Sequence, residues 1–172
     1  MPDKKDIVIN TGPLLALCAG IGELDILEYL YSKVFVPGEV VNEINAGGKS
    51  GFAVAEFENA QFLNKIKTAA EISPHLNNSL DIGEASVIQT AINNNIDTVC
   101  IDETVGRRIA RLYNLKVTGS IGVLLKAIEK GYDISVRNAI DRMQNNGIYL
   151  SDNVIRFALN KEKEIKYLAS KN

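Results

Sequence analysis

The stretch that decides the fold is residues 6–14, which read Asp6-Ile7-Val8-Ile9-Asn10-Thr11-Gly12-Pro13-Leu14. Its three consecutive apolar residues predict a short strand that is covered on both faces. Thr11 suits an N-cap and Pro13 suits a first helical turn, so we expect a helix directly after Asn10. Asn10 therefore lies where a buried strand ends, at the carboxyl edge of the predicted sheet. In open α/β sheets, ligands bind at that edge.

Composition narrows the class of protein. The chain has 172 residues, with 19 Lys and Arg against 21 Asp and Glu, which predicts one domain and argues against a strongly basic coat. This balance does not exclude a local basic patch. The amino terminus lacks a signal-peptide pattern and no apolar run is long enough to cross a bilayer, so no membrane role is expected. Cys18 and Cys100 lie far apart in apolar segments, which indicates buried free thiols in a cytoplasmic protein.

Further apolar runs predict more strands, separated by helical patterns. We expect strands at residues 34–36, 98–101 and 115–117, a weaker one at 62–66, and a loop at 72–79. Strands that alternate with helices predict an α/β protein, here a three-layer α/β/α sandwich around a mostly parallel sheet. We assign residues 1–150 to this domain and residues 151–172 to a C-terminal helix packed on it.

Four polar side chains are expected at the carboxyl edge. Asn10 ends the first strand and Asp102 follows the strand that ends at Ile101. Glu43 and Glu84 lie in early turns of helices that start at the same edge, because helices run back against the strands. Helical periodicity places Glu84 on the apolar, core-facing side.

Carboxylates that share a half-buried site repel one another and lose hydration. Either protonation or a hard divalent cation such as Mg²⁺ or Mn²⁺ must relieve this, and the lack of a His or Cys cluster disfavours zinc. The purely structural alternative makes Asp81 a helix cap, Glu103 a first-turn acid and Glu43 a surface residue.

Five motifs in order resemble the PIN-domain-like proteins, and most of all their prokaryotic nucleic-acid-binding branch. They are Ile-Asn-Thr-Gly-Pro-Leu at 9–14, Val-Pro-x-x-Val-x-x-Glu at 36–43, Asp-x-Gly-Glu-Ala at 81–85, Ile-Asp-Glu-x-x-Gly-Arg-Arg at 101–108 and Thr-Gly-Ser-Ile-Gly-Val-Leu at 118–124. The resemblance implies an α/β/α sandwich and a Mg²⁺- or Mn²⁺-dependent endoribonuclease. Many prokaryotic members are toxins of VapBC-type toxin–antitoxin pairs.

The resemblance also implies roles for individual residues. The family's acidic quartet of metal ligands falls on Asn10, Glu43, Glu84 and Asp102, of which the three acids are the implied catalytic residues. The implied mechanism is attack of a metal-activated water on an RNA phosphodiester. Thr11 matches the hydroxyl residue beside the first acid and is assigned to nucleic-acid binding. The implied partners are RNA, a small antitoxin protein and a second copy of the chain.

Asn10 departs from the family pattern, in which this position is Asp. An amide oxygen still ligates Mg²⁺, but it carries no charge and cannot act as a base. Two functions therefore stay open: a metal-dependent endoribonuclease, or a catalytically impaired PIN-like protein that binds RNA or a protein. A nucleotide-binding protein ranks last, since Gly119 and Gly122 are only part of a phosphate-loop signature.

Basic residues follow the second acidic motif. Arg107 and Arg111 share a predicted helix face, with Arg108 beside them. Because this helix begins at the acids, its basic side is predicted to hold RNA phosphates. The structural alternative is a solvated helix whose arginines pair with neighbouring acids.

Overall fold

Five short parallel strands form the centre of the protein. A computed structural model describes residues 3–47 and 52–172. The strands are β1 (Ile7–Ile9), β2 (Val34–Val36), β3 (Leu63–Lys65), β4 (Thr98–Cys100) and β5 (Lys116–Thr118). They lie in the order β3-β2-β1-β4-β5 and every pair is parallel. The predicted α/β class is confirmed, and the sheet is fully parallel.

Ten helices surround the sheet within the described residues. They are α1 (Thr11–Ile21), α2 (Asp25–Leu30), α3 (Gly38–Gly47), α4 (Val54–Asn59), α5 (Pro74–Ser79), α6 (Ile82–Asn93), α7 (Thr104–Leu112), α8 (Ser120–Glu129), α9 (Val136–Asn145) and α10 (Asp152–Ala169). The helices α1, α2, α8, α9 and α10 pack on one another, whereas α5, α6 and α7 form a second group against the sheet. Residues 7–9 are fully buried between these groups, which explains their continuous apolar run.

The strand order creates a crevice between β1 and β4. Chain order reverses at this point, because β2 lies on one side of β1 and β4 on the other. Ile9 pairs with Cys100, and the Asn10 N–H donates to the Cys100 carbonyl at 3.0 Å. Asn10 and Ile101 therefore leave the sheet side by side. Ligands bind at such a switch point in open α/β sheets.

The predicted loop at 72–79 is wrong, because α5 occupies most of it. Pro74 lies in the first turn of this helix, where its missing N–H costs nothing, and Leu76 is fully buried. A six-residue helix with one buried apolar residue leaves no helical periodicity in the sequence. The burial of Leu76 against the rest of the fold stabilises it instead.

The C-terminal helix is tied to the rest of the chain through a buried carboxylate. α10 contacts α8 and α9, and Oε1 of Glu162 accepts hydrogen bonds from the Val136 N–H and from Lys166 Nζ, both at 3.0 Å. Glu162 thus satisfies a free N–H in the first turn of α9, where a negative charge is favoured. The domain boundary after residue 150 stays a prediction.

Cys18 and Cys100 are free and buried, as their apolar surroundings predict. Burial raises the pKa of the Cys18 thiol to about 12, so this thiol is inert at neutral pH. Within residues 3–47 and 52–172, no helix is both long and apolar enough to cross a membrane.

Candidate active site at the carboxyl edge

Asn10 presents an unsatisfied oxygen at the end of β1. The residue precedes α1 in extended conformation and is 7% exposed. Its backbone N–H is used in the sheet, but its side-chain Oδ1 is buried without a hydrogen-bond partner. A buried acceptor without a partner costs free energy, so Oδ1 is ready to receive a donor or a cation.

Glu84 is a buried acid with a shifted pKa. Asp81 caps α6 as predicted, since its Oδ1 accepts from the Glu84 N–H at 2.8 Å. The Glu84 side chain is only 5% exposed, and its Oε1 has no hydrogen-bond partner. Burial and the negative charges of Asp81, Glu103 and Glu43 raise the pKa of Glu84 to about 7. The carboxyl group is therefore close to half protonated at neutral pH.

Thr11 positions Glu43 rather than capping α1. Thr11 is the first residue of α1, and the residue before the helix, Asn10, makes no side-chain capping bond. The Thr11 hydroxyl instead donates to Oε2 of the half-buried Glu43 at 2.5 Å. The prediction of Thr11 as an N-cap is wrong, because α1 already begins at Thr11 and Asn10 occupies the N-cap position.

Asp102 is held by the start of α8. Its Oδ1 accepts from the Ser120 N–H at 2.8 Å, and Arg107 Nη1 donates to the Ile101 carbonyl at 2.8 Å. Loss of hydration at the carboxyl group raises the pKa of Asp102, while the Ser120 hydrogen bonds and the charge of Arg107 oppose this rise. One carboxylate oxygen is thus fixed, and Arg107 stabilises the backbone beside it.

Each of the three acids packs against a glycine. Gly83 lies against Glu43, Gly106 against Glu84 and Gly119 against Asp102. A Cβ at Gly106 would be 2.6 Å from Glu84 Oε1, and one at Gly119 would be 2.5 Å from Asp102 Oδ1. These glycines were missed as site residues by the sequence interpretation, although each belongs to one of the five motifs.

An open cleft of about 510 Å³ adjoins the buried acid. Glu84, Asp81 and Glu103 line it, together with Val105 and residues 78–80. Its volume is within the range of pockets that hold small ligands. Glu84 is therefore reached from solvent through a negatively charged opening.

The donor atoms fit a hydrated divalent cation. Across the described part of the chain, no three His, Cys, Asp or Glu side chains come together closely enough to hold an ion. The available ligands are hard oxygens, and two of them, Asn10 Oδ1 and Glu84 Oε1, are buried and unpartnered. Mg²⁺ commonly keeps several waters and needs only one or two carboxylates. The residues suit such an ion rather than a cage of four carboxylates.

The predicted arginines lie on α7 as expected but differ in their environment. Arg107 is half-buried and engaged with the Ile101 carbonyl. Arg108 and Arg111 are exposed, and neither forms an ion pair with another described residue. Pairing with neighbouring acids, the structural alternative, therefore does not account for these two arginines.

The parallel sheet and its acidic carboxyl edge define an α/β protein with an oxygen-rich candidate metal site. A family model described as a PIN domain matches residues 6–164. The chain therefore belongs to the PIN domain family, which gives it a nuclease-like fold. A comparison with curated proteins finds no match.

Proposed function

We propose that this protein is a metal-dependent endoribonuclease that uses Mg²⁺ or Mn²⁺. The observation that carries the proposal is the pair of buried, unpartnered oxygens, Asn10 Oδ1 and Glu84 Oε1, at the switch point of a PIN-family sheet. Buried groups without a partner often have a functional reason. Glu39 Oε2 and Glu56 Oε2 are unpartnered as well among the described residues, but only Asn10 and Glu84 belong to the predicted metal ligands.

Asn10 and Glu84 would hold the metal directly, and Glu43 and Asp102 would contact its bound waters. A bound divalent ion supplies a Lewis acid and lowers the pKa of water, which is the chemistry that phosphodiester hydrolysis needs. In the metal-free protein the pKa of Glu84 is about 7, so binding of a divalent cation near neutral pH would release a proton from this carboxyl group. Thr11 fixes the orientation of Glu43, and Ser120 fixes that of Asp102.

The substrate side of the proposal rests on α7 and Thr11. Arg108 and Arg111 are free to contact phosphates, and Arg107 adds positive charge beside Asp102. Thr11 lies at the opening of α1, next to Asn10. We extend the proposal to a cytoplasmic toxin component with a small antitoxin and a homodimeric state, on the family resemblance alone.

A second candidate function is favoured by Asn10 itself. The amide contributes no negative charge to the edge, so affinity for a divalent cation is lower than with Asp at this position. In this alternative, the protein binds RNA or a protein partner without cleaving RNA. Both candidates use the same fold, and the second lacks catalysis.

The test is cleavage of a labelled single-stranded RNA in Mn²⁺, with Asp102→Ala and Asp141→Ala compared with the wild type. Asp102→Ala is expected to lower the rate by roughly 100-fold or more, since it removes a group at the reacting centre. Asp141 is exposed on α9 and its variant keeps the wild-type rate. Chelation of the metal abolishes cleavage.

Cleavage that survives both Asp102→Ala and chelation contradicts the endoribonuclease proposal. RNA binding by the wild type without any cleavage contradicts it as well and supports the second candidate. The Asp141→Ala control excludes a general effect of removing one negative charge.

A further inference from the structure

Four lysines meet at the edge of the sheet opposite to the acids. Lys5 precedes β1, Lys116 begins β5, and Lys126 and Lys130 lie at the end of α8. We call these four residues the lysine cluster. The strands begin at this amino edge, and α8 returns to it after starting beside Asp102.

The lysine cluster has more positive charge than its surroundings neutralise. Lys5 and Lys116 share one carboxylate oxygen, Asp97 Oδ2, at 3.4 and 2.8 Å. Lys126 and Lys130 form no ion pair with any described residue. Burial lowers the pKa of Lys126 most, and the charges of Lys130 and Lys5 lower it further. The ammonium group of Lys126 also lies 4.6 Å from the centre of the Tyr31 ring.

Helix ends do not explain the whole cluster. Cations are favoured at helix C-termini, which accounts for Lys126 in the last turn of α8. Lys5 and Lys116 precede and begin strands, where no such dipole acts. Their convergence on a single carboxylate leaves a net positive charge that a bound anion would neutralise.

An aromatic ring lies beside the cluster. Tyr29 is 39% exposed, and its hydroxyl donates to the Lys130 carbonyl at 2.6 Å. Its ring packs at 5.0 Å between centroids on Tyr132. An exposed ring next to cations is the combination that single-stranded nucleic acid uses, with bases on the ring and phosphates on the cations.

Helix α7 leads from the acids towards one member of the lysine cluster. It begins at Thr104, directly after Asp102 and Glu103, and its nine residues span about 14 Å. The unpaired Arg108 and Arg111 lie along it, and Lys116 follows shortly after its end. The cations on α7 therefore reach the amino edge at Lys116, whereas Lys126 and Lys130 lie on the other side of the sheet.

We propose that the lysine cluster binds backbone phosphates of single-stranded RNA at the amino edge of the sheet, apart from the acids. This inference rests on the proposed RNA substrate but not on its cleavage. The acidic edge repels phosphates, so most of the binding free energy must come from cations elsewhere. The lysine cluster supplies them at a distance from the metal ligands.

The experiment measures binding of a fluorescein-labelled single-stranded oligouridine by anisotropy in EDTA, over a series of salt concentrations. The test variant is Lys5→Gln with Lys116→Gln and Lys126→Gln. The matched control is a second triple variant, Lys161→Gln with Lys163→Gln and Lys171→Gln. These lysines lie in the second half of α10 or just after its end, and the control changes the net charge by the same amount. Loss of three phosphate contacts lowers affinity roughly 100-fold at 0.1 M salt and reduces the slope of log K against log salt by about 2.

A double variant, Lys5→Gln with Lys116→Gln, guards against misfolding, because both side chains are exposed. It is expected to weaken binding roughly 25-fold under the same conditions. The α10 control keeps wild-type affinity. Three results overturn the inference: an equal loss of RNA affinity in the test and control variants, no loss of affinity in either, or no RNA binding by the wild type. Lysine-dependent binding without cleavage in Mn²⁺ supports it and contradicts only the proposed catalysis.

Discussion

Glu84→Gln is expected to raise the free energy of unfolding of the metal-free protein. The increase should be about 2 kcal/mol larger at pH 8 than at pH 5. The folded-state pKa of Glu84 is about 7, against an ordinary value of 4.5. Between these two values the folded protein binds more protons than the unfolded chain, so the contribution of Glu84 to stability falls as pH rises from about 4.5 through 7. Glutamine stays neutral throughout and avoids this loss.

Urea denaturation in EDTA at the two pH values measures the effect. Glu164→Gln on the exposed side of α10 serves as the control, since its surface ion pair with Lys161 contributes little. Its effect on the free energy of unfolding should differ little between pH 5 and pH 8. A stability change in Glu84→Gln that is independent of pH, or larger at pH 5, contradicts the shifted pKa and the charge repulsion behind it.

Gly106→Ala is expected to destabilise the protein by about 2 kcal/mol, although alanine normally favours a helix. The added Cβ would lie 2.6 Å from Glu84 Oε1 and 3.0 Å from Ile101 Cγ2. Neither neighbour has room to move freely, because both residues are buried. The substitution therefore displaces Glu84 from its position and should also weaken metal binding.

Gly12→Ala is the matched control for Gly106→Ala. Gly12 lies in the first turn of α1, and a Cβ there would meet nothing within 4 Å. This change should be neutral or stabilising by up to about 1 kcal/mol. The two variants are compared by urea denaturation in EDTA. If Gly106→Ala and Gly12→Ala were equally stable, Glu84 could keep its position without a glycine at residue 106.

Local sequence patterns are sufficient to predict the sheet and the burial of Glu84. The apolar run at residues 7–9 marks β1 because the strand is covered on both faces. Helical periodicity places Glu84 on the core side of α6, where it is found. Asp81 caps that helix through a bond to a residue three positions away, which is a local effect and so is visible in sequence.

Contacts between distant segments cannot be predicted in the same way. Thr11 has the chemistry of a cap, but its partner is Glu43, 32 residues further along the chain. The bond from the Ser120 N–H to Asp102 and the packing of Gly106 on Glu84 depend likewise on how helices cross. The lysine cluster is the extreme case, because Lys5 lies more than a hundred positions before the other three lysines.

The most direct test of the central claim is a calorimetric Mn²⁺ titration of the wild type, Asn10→Asp and Glu84→Gln at pH 8, where Glu84 is mostly ionised. The proposed site predicts binding heat from the wild type, tighter binding by Asn10→Asp because a charge is added, and loss of the heat in Glu84→Gln. Two results would contradict a working metal site in the natural protein. One is that Glu84→Gln gives the same binding heat as the wild type, and the other is that Asn10→Asp gives binding heat and the wild type gives none.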